Sequence, residues 1–154
     1  MNIDLKNLTI EKAHEHLKKG DFSARELTES YLENIGRKNT DLNAYLEVFS
    51  SGGGSASGGD DALSQAERAD EAIQKGNVGM LTGIPLAIKD NILINGRKAS
   101  CASRILEGYR ATYDAGVIEK LKQENAVFLG LTNMDEFAMG SSTEHSAFGP
   151  TKNP

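Results

Sequence analysis

Gly83-Ile84-Pro85-Leu86-Ala87-Ile88-Lys89-Asp90-Asn91-Ile92 is the stretch on which the reading of this sequence turns. Ile84 to Ile88 is apolar without a break and has the composition of a strand. A second run, Ala126-Val127-Phe128-Leu129-Gly130-Leu131, has almost no polar face, as expected of a strand covered on both sides. Between the two, Asp114 is placed to cap a helix through Val117, Ile118 and Leu121, with Asn125 as a left-handed terminator. Strand, long crossover, helix, strand is a βαβ unit, so the two strands are expected parallel and the crossover right-handed.

The residue that ends the first strand is a lysine. After so apolar a run an ammonium is paired, snorkels to water or loses its proton. A neutral lysine is a general base, and desolvation is the usual way to make one. Strand alternation puts Ile84, Leu86 and Ile88 on one face and Pro85, Ala87 and Lys89 on the other. Lys89 therefore shares its face with small residues and has room beside it. It also stands at the carboxyl end of its strand, where open α/β sheets form their sites. Met139 to Ser142 lie beyond the end of the second strand and are placed to reach the same edge. Backbone N–H groups of Ser141-Ser142-Thr143, after Gly140, are candidates to point into a site there. Two readings stand side by side. In one, Lys89 takes the proton of a serine. In the other it snorkels and pairs with Asp90 or a nearby carboxylate, and the 140–143 stretch is an ordinary capped turn.

Upstream, the sequence reads as helices. Thr9 can cap a helix with Ile10, Ala13 and Leu17 on one face and Gly20 as its stop. Ser23-Ala24-Arg25-Glu26 is a capping box opening a second helix, with Leu27, Tyr31 and Ile35 as its stripe. Gly36 and the polar run Arg37 to Asp41 are expected to end it, and Leu42 to Phe49 to form a short strand. Asp61 can cap a third helix, with Leu63, Ala66, Ala69 and Ile73 inward and Gly76 as its stop. Between them, residues 50–60 carry a Gly/Ser tract read as a flexible linker. No Walker lysine follows it and it has no Gly-x-Gly-x-x-Gly spacing. From Thr132 onward a polar tail runs to Pro154.

With 154 residues, 38% hydrophobic and 25% charged, the chain can bury the core of one domain. A net charge of −5 argues against bulk electrostatic binding of nucleic acid. No segment approaches the apolar length of a membrane span and no signal-peptide pattern opens the chain, so no membrane association is expected. One cysteine, Cys101, fits a reducing cytoplasm and reads as a packing residue. His14 and His16 do not share a helix face and His145 stands alone, so no metal is expected. The serines after Lys89 are Ser100, Ser103, Ser141, Ser142 and Ser146, none in a nucleophile elbow.

Three blocks then point to a family. Thr82-Gly83-Ile84-Pro85-Leu86-Ala87-Ile88-Lys89-Asp90-Asn91 closely resembles the lysine motif of the amidase signature family. Thr132-Asn133-Met134-Asp135-Glu136-Phe137-Ala138-Met139-Gly140-Ser141-Ser142-Thr143-Glu144 resembles the next block, and Phe148-Gly149-Pro150-Thr151-Lys152-Asn153-Pro154 the lead-in to a third. The version Met-Asp-Glu-Phe-Ala-Met-Gly is most similar to the family's tRNA-dependent amidotransferase branch.

The resemblance implies an α/β fold. N-terminal helices precede the βαβ unit, which forms part of the family's mixed sheet covered by helices, and residues 1–154 are the N-terminal portion of that domain. It implies a Ser–cis-Ser–Lys triad that hydrolyses a carboxamide, with Lys89 as the lysine that deprotonates the bridging serine. Met139, Gly140 and Ser141 are the implied substrate-binding residues. In the amidotransferase branch glutamine gives up ammonia through an acyl-enzyme. A second subunit then amidates Glu or Asp on tRNA with ATP and magnesium, and a third subunit holds the heterotrimer together. The resemblance thus implies no cofactor in this chain, tRNA contact mainly through the partner subunit, and a cytoplasmic setting.

The chain departs from the family pattern at both serines, whose Gly/Ser-rich block is expected shortly after Pro154. The Gly/Ser tract at 51–59 imitates that block but precedes Lys89, where the family order places the lysine first. A chain without those serines is expected to be inactive alone. The other readings are a portion of a free-standing small-amide amidase, or a non-catalytic interaction module.

Overall fold

A computed structural model describes residues 3–50 and 60–154, so the Gly/Ser tract at 51–59 lies outside the described residues. Helix α1 (Ile10–Lys19) starts at Thr9, whose side chain accepts from the Lys12 N–H, and stops at Gly20 in the left-handed region. Ala13 and Leu17 are buried, whereas Ile10, expected on the same face, is 48% exposed.

Helix α2 (Ala24–Leu42) opens with the Ser23/Glu26 capping box, both of its hydrogen bonds present. It does not end at Gly36. It runs on to Leu42 and stops at Asn43 (φ 54°). Gly36 touches nothing that a side chain would meet, so it costs the helix only about 1 kcal/mol of propensity. The end of the helix is secured by Asn39, which donates to the Tyr45 carbonyl (2.9 Å) and accepts from the Tyr45 N–H (2.8 Å). That pair delivers the chain directly into strand β1 (Tyr45–Val48), shorter than the strand expected over Leu42 to Phe49.

Helix α3 (Ala62–Gln74) is capped by Asp61, which accepts from the Ser64 N–H at 2.8 Å. Its buried residues are Ala62, Ala66 and Ala69, with Leu63 and Ile73 only half-buried. That small-residue face allows α3 to lie close against α2 and the sheet. Strand β2 (Pro85–Lys89) is followed by a 3-10 turn (Arg104–Leu106), helix α4 (Gly116–Gln123), strand β3 (Val127–Thr132) and a second 3-10 turn (Glu136–Ala138). Asp114 does not cap α4; Ala115 holds that position without a side-chain bond. The Asp114 carboxylate instead accepts from the Asn95 N–H (2.8 Å) and the Lys122 ammonium (2.5 Å), tying the helix back to the preceding loop. Ile118 is buried and Leu121 partly so, but Val117 is 51% exposed. Asn125 ends the segment in the left-handed region (φ 55°) as expected.

The sheet has the order β1-β3-β2. β2 pairs parallel with β3 and β1 pairs antiparallel with it, so the sheet is mixed and β2–α4–β3 is the expected βαβ unit. β3 is central, and Val127, Phe128, Leu129, Gly130 and Leu131 are all buried. The parallel register slips by one residue, Leu86 facing Phe128 and Ala87 facing Gly130. At the slip the Phe128 N–H is taken by Gln65 Oε1 of α3 at 2.9 Å. Gly130 is required by the approach of β1: a Cβ there would stand 2.2 Å from the Glu47 carbonyl oxygen. The fold is therefore α/β, with helices leading into a mixed sheet.

Candidate functional site

Lys89 closes β2 opposite Thr132 of β3. The alternation holds: Ile84 and Ile88 are buried on one face, while Ala87 and Lys89 are exposed on the other. Lys89 is not desolvated within these residues: it stands in solvent. The snorkelling pair with Asp90 is not formed either. Among the described residues no hydrogen bond or ion pair engages the Lys89 side chain. Asp90 is only 1% exposed, and its carboxylate is turned into the protein. There it accepts from the Ser100 hydroxyl (2.5 Å), the Ala102 N–H (2.9 Å) and the Ser100 N–H (3.4 Å).

The stretch after β3 is organised by a second buried carboxylate. Asp135 accepts from the N–H groups of Ser142 (3.0 Å), Thr143 (2.9 Å) and His145 (3.0 Å). The His145 and Thr143 N–H groups do most to hold its carboxyl below the ordinary aspartate range, against the opposing effect of burial. Two of the backbone donors expected to point into a site, those of Ser142 and Thr143, are thus spent on Asp135. Met139 (73% exposed), Gly140 and Ser141 remain at the surface. Gly140 lies against the same carboxylate, where a Cβ would come within 2.5 Å of Asp135 Cγ. Asn133 ties down the tail, donating to the carbonyls of Asn43 (3.1 Å) and Gly149 (2.8 Å) and accepting from the Ser146 hydroxyl (2.7 Å).

The two loops are bonded to each other. Phe137 N–H donates to the Cys101 carbonyl and Ala147 N–H to the Ala102 carbonyl, each at 3.0 Å. The Ser103 hydroxyl donates to Glu136 Oε1 at 2.5 Å. Cys101, Ala102, Phe137, Ala138 and Thr143 all hold positive φ between 50° and 64°. Non-glycine residues accept that strain only where the surroundings over-determine the backbone, and such sites concentrate around function. Burial, with the Asp90 charge beside it, pushes the Cys101 thiol up, which keeps it a thiol rather than a nucleophilic thiolate. Sequence reasoning brought forward Lys89 and the 139–141 stretch, and named Asp90 as a partner for Lys89 and Ser100 among the available serines, but not the bond between Asp90 and Ser100 or the anchoring roles of Asn133 and Asp135. A polar residue placed immediately after a buried strand was the available signal.

A cleft of about 430 Å³ is lined by Phe49, Arg68, Arg97 and Lys122, and one of about 210 Å³ by Tyr45, Glu47, Asp90, Lys98 and Ser100; neither includes Lys89. Among the described residues no group of three or more His, Cys, Asp or Glu is placed to hold a metal. No described helix is long and apolar enough to cross a membrane.

Comparison with known proteins bears on this geometry. The chain is 47% identical over 152 residues to the glutamyl-tRNA(Gln) amidotransferase A-subunit of Ruminiclostridium cellulolyticum, matching 99% of this chain and 29% of that protein. It is 52% identical over 136 residues to the protein of the same name from Chlorobium phaeobacteroides, covering 88% of this chain and 26% of that one. The chain thus spans under a third of the length of these relatives. Among solved structures it matches the glutamyl-tRNA(Gln) amidotransferase A-subunit of Thermotoga maritima with a TM-score of 0.73 at 37% identity, over 99% of this chain and 28% of that one. The peptide amidase of Stenotrophomonas maltophilia matches with a TM-score of 0.80 at 29% identity, over 96% of this chain and 30% of that one. The Amidase family model covers residues 26–154, and the chain belongs to that family.

Proposed function

We propose that this chain supplies the lysine of an amide-hydrolysing Ser–cis-Ser–Lys site in the glutaminase subunit of a tRNA-dependent amidotransferase. The observation that carries the reading is Lys89 itself. It stands at the carboxyl end of β2, exposed, beside Ala87 on a small-residue face, with no partner of its own among the described residues. An ammonium so placed is available to a group brought against it. Covering that face would also take the ammonium out of water. In this reading Lys89 takes the proton of a bridging serine, which takes that of the nucleophilic serine, and attack on the glutamine carboxamide releases ammonia. Met139, Gly140 and Ser141, held out by Asp135, form part of the glutamine site.

Neither serine of the triad has a counterpart in residues 1–154. The chain alone therefore releases no ammonia. The ammonia made by the completed site passes to a second subunit, which uses ATP and magnesium to amidate Glu or Asp on tRNA and makes most of the tRNA contact. A third subunit completes the heterotrimer, in the cytoplasm. The match to the peptide amidase favours a second reading, a free-standing amidase acting on small amides.

The test is ammonia release from glutamine by purified 1–154, and by the same chain joined to the remainder of the Thermotoga maritima protein. Activity only in the joined form, together with binding to the two partner subunits, is expected. Glutamine hydrolysis by 1–154 alone would overturn the reading, and an active joined form that binds neither partner would favour the free-standing amidase.

A further inference from the structure

Lys89 has a long flexible stem and no hydrogen bond or ion pair among the described residues, so only its backbone aims it. That backbone is held on one side by the sheet, where Asp90 N–H donates to the Thr132 carbonyl at 3.2 Å. On the other side the chain turns away, with Ile92 N–H donating to the Lys89 carbonyl at 2.9 Å. At that turn the Asp90 carboxylate is clamped by Ser100 and Ala102, and the Cys101 N–H donates back to the Asp90 carbonyl at 3.4 Å. A buried carboxylate this well satisfied fixes the peptide that carries it. Because Cys101 and Ala102 are themselves bonded to Phe137 and Ala147, the clamp also sets the lysine's strand end relative to the Met139–Ser141 surface.

We propose that Asp90 and Ser100 are a positioning pair for Lys89, their buried hydrogen bond fixing the strand end from which the lysine is presented. This rests on the reading of Lys89 as the base. Neither residue touches the substrate; both act through the lysine's backbone. Ser100 is 5% exposed and its hydroxyl is committed to Asp90, which leaves it no part as a nucleophile.

The test uses the chain joined to the remainder of the Thermotoga maritima protein, with kcat and KM for glutamine measured across pH for Ser100→Ala, Ser100→Thr, Asp90→Asn and Lys89→Ala. Ser100→Ala keeps the backbone clamp and loses the hydroxyl. It is expected to lower kcat about tenfold, with KM within about twofold and the thermal midpoint within a few degrees. Ser100→Thr, which restores the hydroxyl, is expected to recover most of kcat. Asp90→Asn is expected to lower kcat at least as far as Ser100→Ala does. A kcat within twofold of the parent for both Ser100→Ala and Asp90→Asn overturns the proposal. So does a loss in Ser100→Ala that Ser100→Thr does not recover. The reading of Lys89 fails separately, if Lys89→Ala keeps the parent kcat.

Discussion

Gly130→Ala adds one methyl group to the centre of the sheet, and its consequence follows from where that methyl must go. The added Cβ would stand 2.2 Å from the Glu47 carbonyl oxygen, 3.0 Å from Val48 Cα and 3.1 Å from the Glu47 carbonyl carbon. The first distance is more than 1 Å short of the 3.4 Å at which ordinary contact begins. All three obstacles are backbone, so no rotamer change relieves them. β1 must move away from β3, and the backbone bonds at Val48 and Phe49 that follow this register stretch with it. Overpacking of this kind costs about 1–3 kcal/mol, and a clash with backbone belongs at the upper end. About 3 kcal/mol corresponds to a drop of roughly 6–12 °C in Tm for a chain of this size. Urea unfolding followed by circular dichroism reads the loss as a lowered midpoint at unchanged slope. Gly36→Ala is the control: the same methyl on an exposed helix position with open space around it stabilises by about 1 kcal/mol. Equal effects at the two positions, or a Gly130→Ala within about 0.5 kcal/mol of the parent, would refute the reasoning.

Three further outcomes follow from named contacts. Lys89→Ala removes an exposed side chain with no partner among the described residues and is expected to leave stability within about 0.5 kcal/mol, read by thermal unfolding; a large loss would make Lys89 a structural residue. Gln65→Ala strands the N–H of Phe128, which is 2% exposed, and is expected to cost about 1–3 kcal/mol in urea unfolding. Asp135 has a folded pKa below its unfolded value of about 3.9, so its contribution is full above that value and is lost as pH falls through the folded pKa. Asp135→Asn is therefore expected to flatten the acid side of the stability profile below the unfolded aspartate pKa of about 3.9 and to speed amide exchange at Thr143 and His145; an unchanged acid slope would remove the carboxylate from that role.

Local chemistry was legible in the sequence where its partners lie within a few residues. Thr9, Ser23 and Asp61 cap the helices assigned to them, and the two apolar runs became parallel strands of one βαβ unit. Gly36 and Asp114 misled because the groups that decide them are distant. Asn39 carries the helix on to meet Tyr45, and Asp114 is claimed by Asn95 and Lys122, 19 and 8 residues away. The same distinction separates the parts of the site. The face occupied by Lys89 follows from strand alternation alone. The roles of Asp90 and Asp135 depend on loops that fold back over 7 to 12 residues through left-handed, non-glycine backbone. No periodicity announces such a loop, and an acidic residue after a strand reads as a solvated one until its partners are seen.

The central claim is that Lys89 is a base presented for serines outside residues 1–154. Glutamine-dependent ammonia release by the chain joined to the Thermotoga maritima remainder, compared with its Lys89→Ala variant at matched folded fraction, tests it most directly. Loss of a general base is expected to lower kcat by about a hundredfold or more. A variant that releases ammonia at the parent rate would contradict the account.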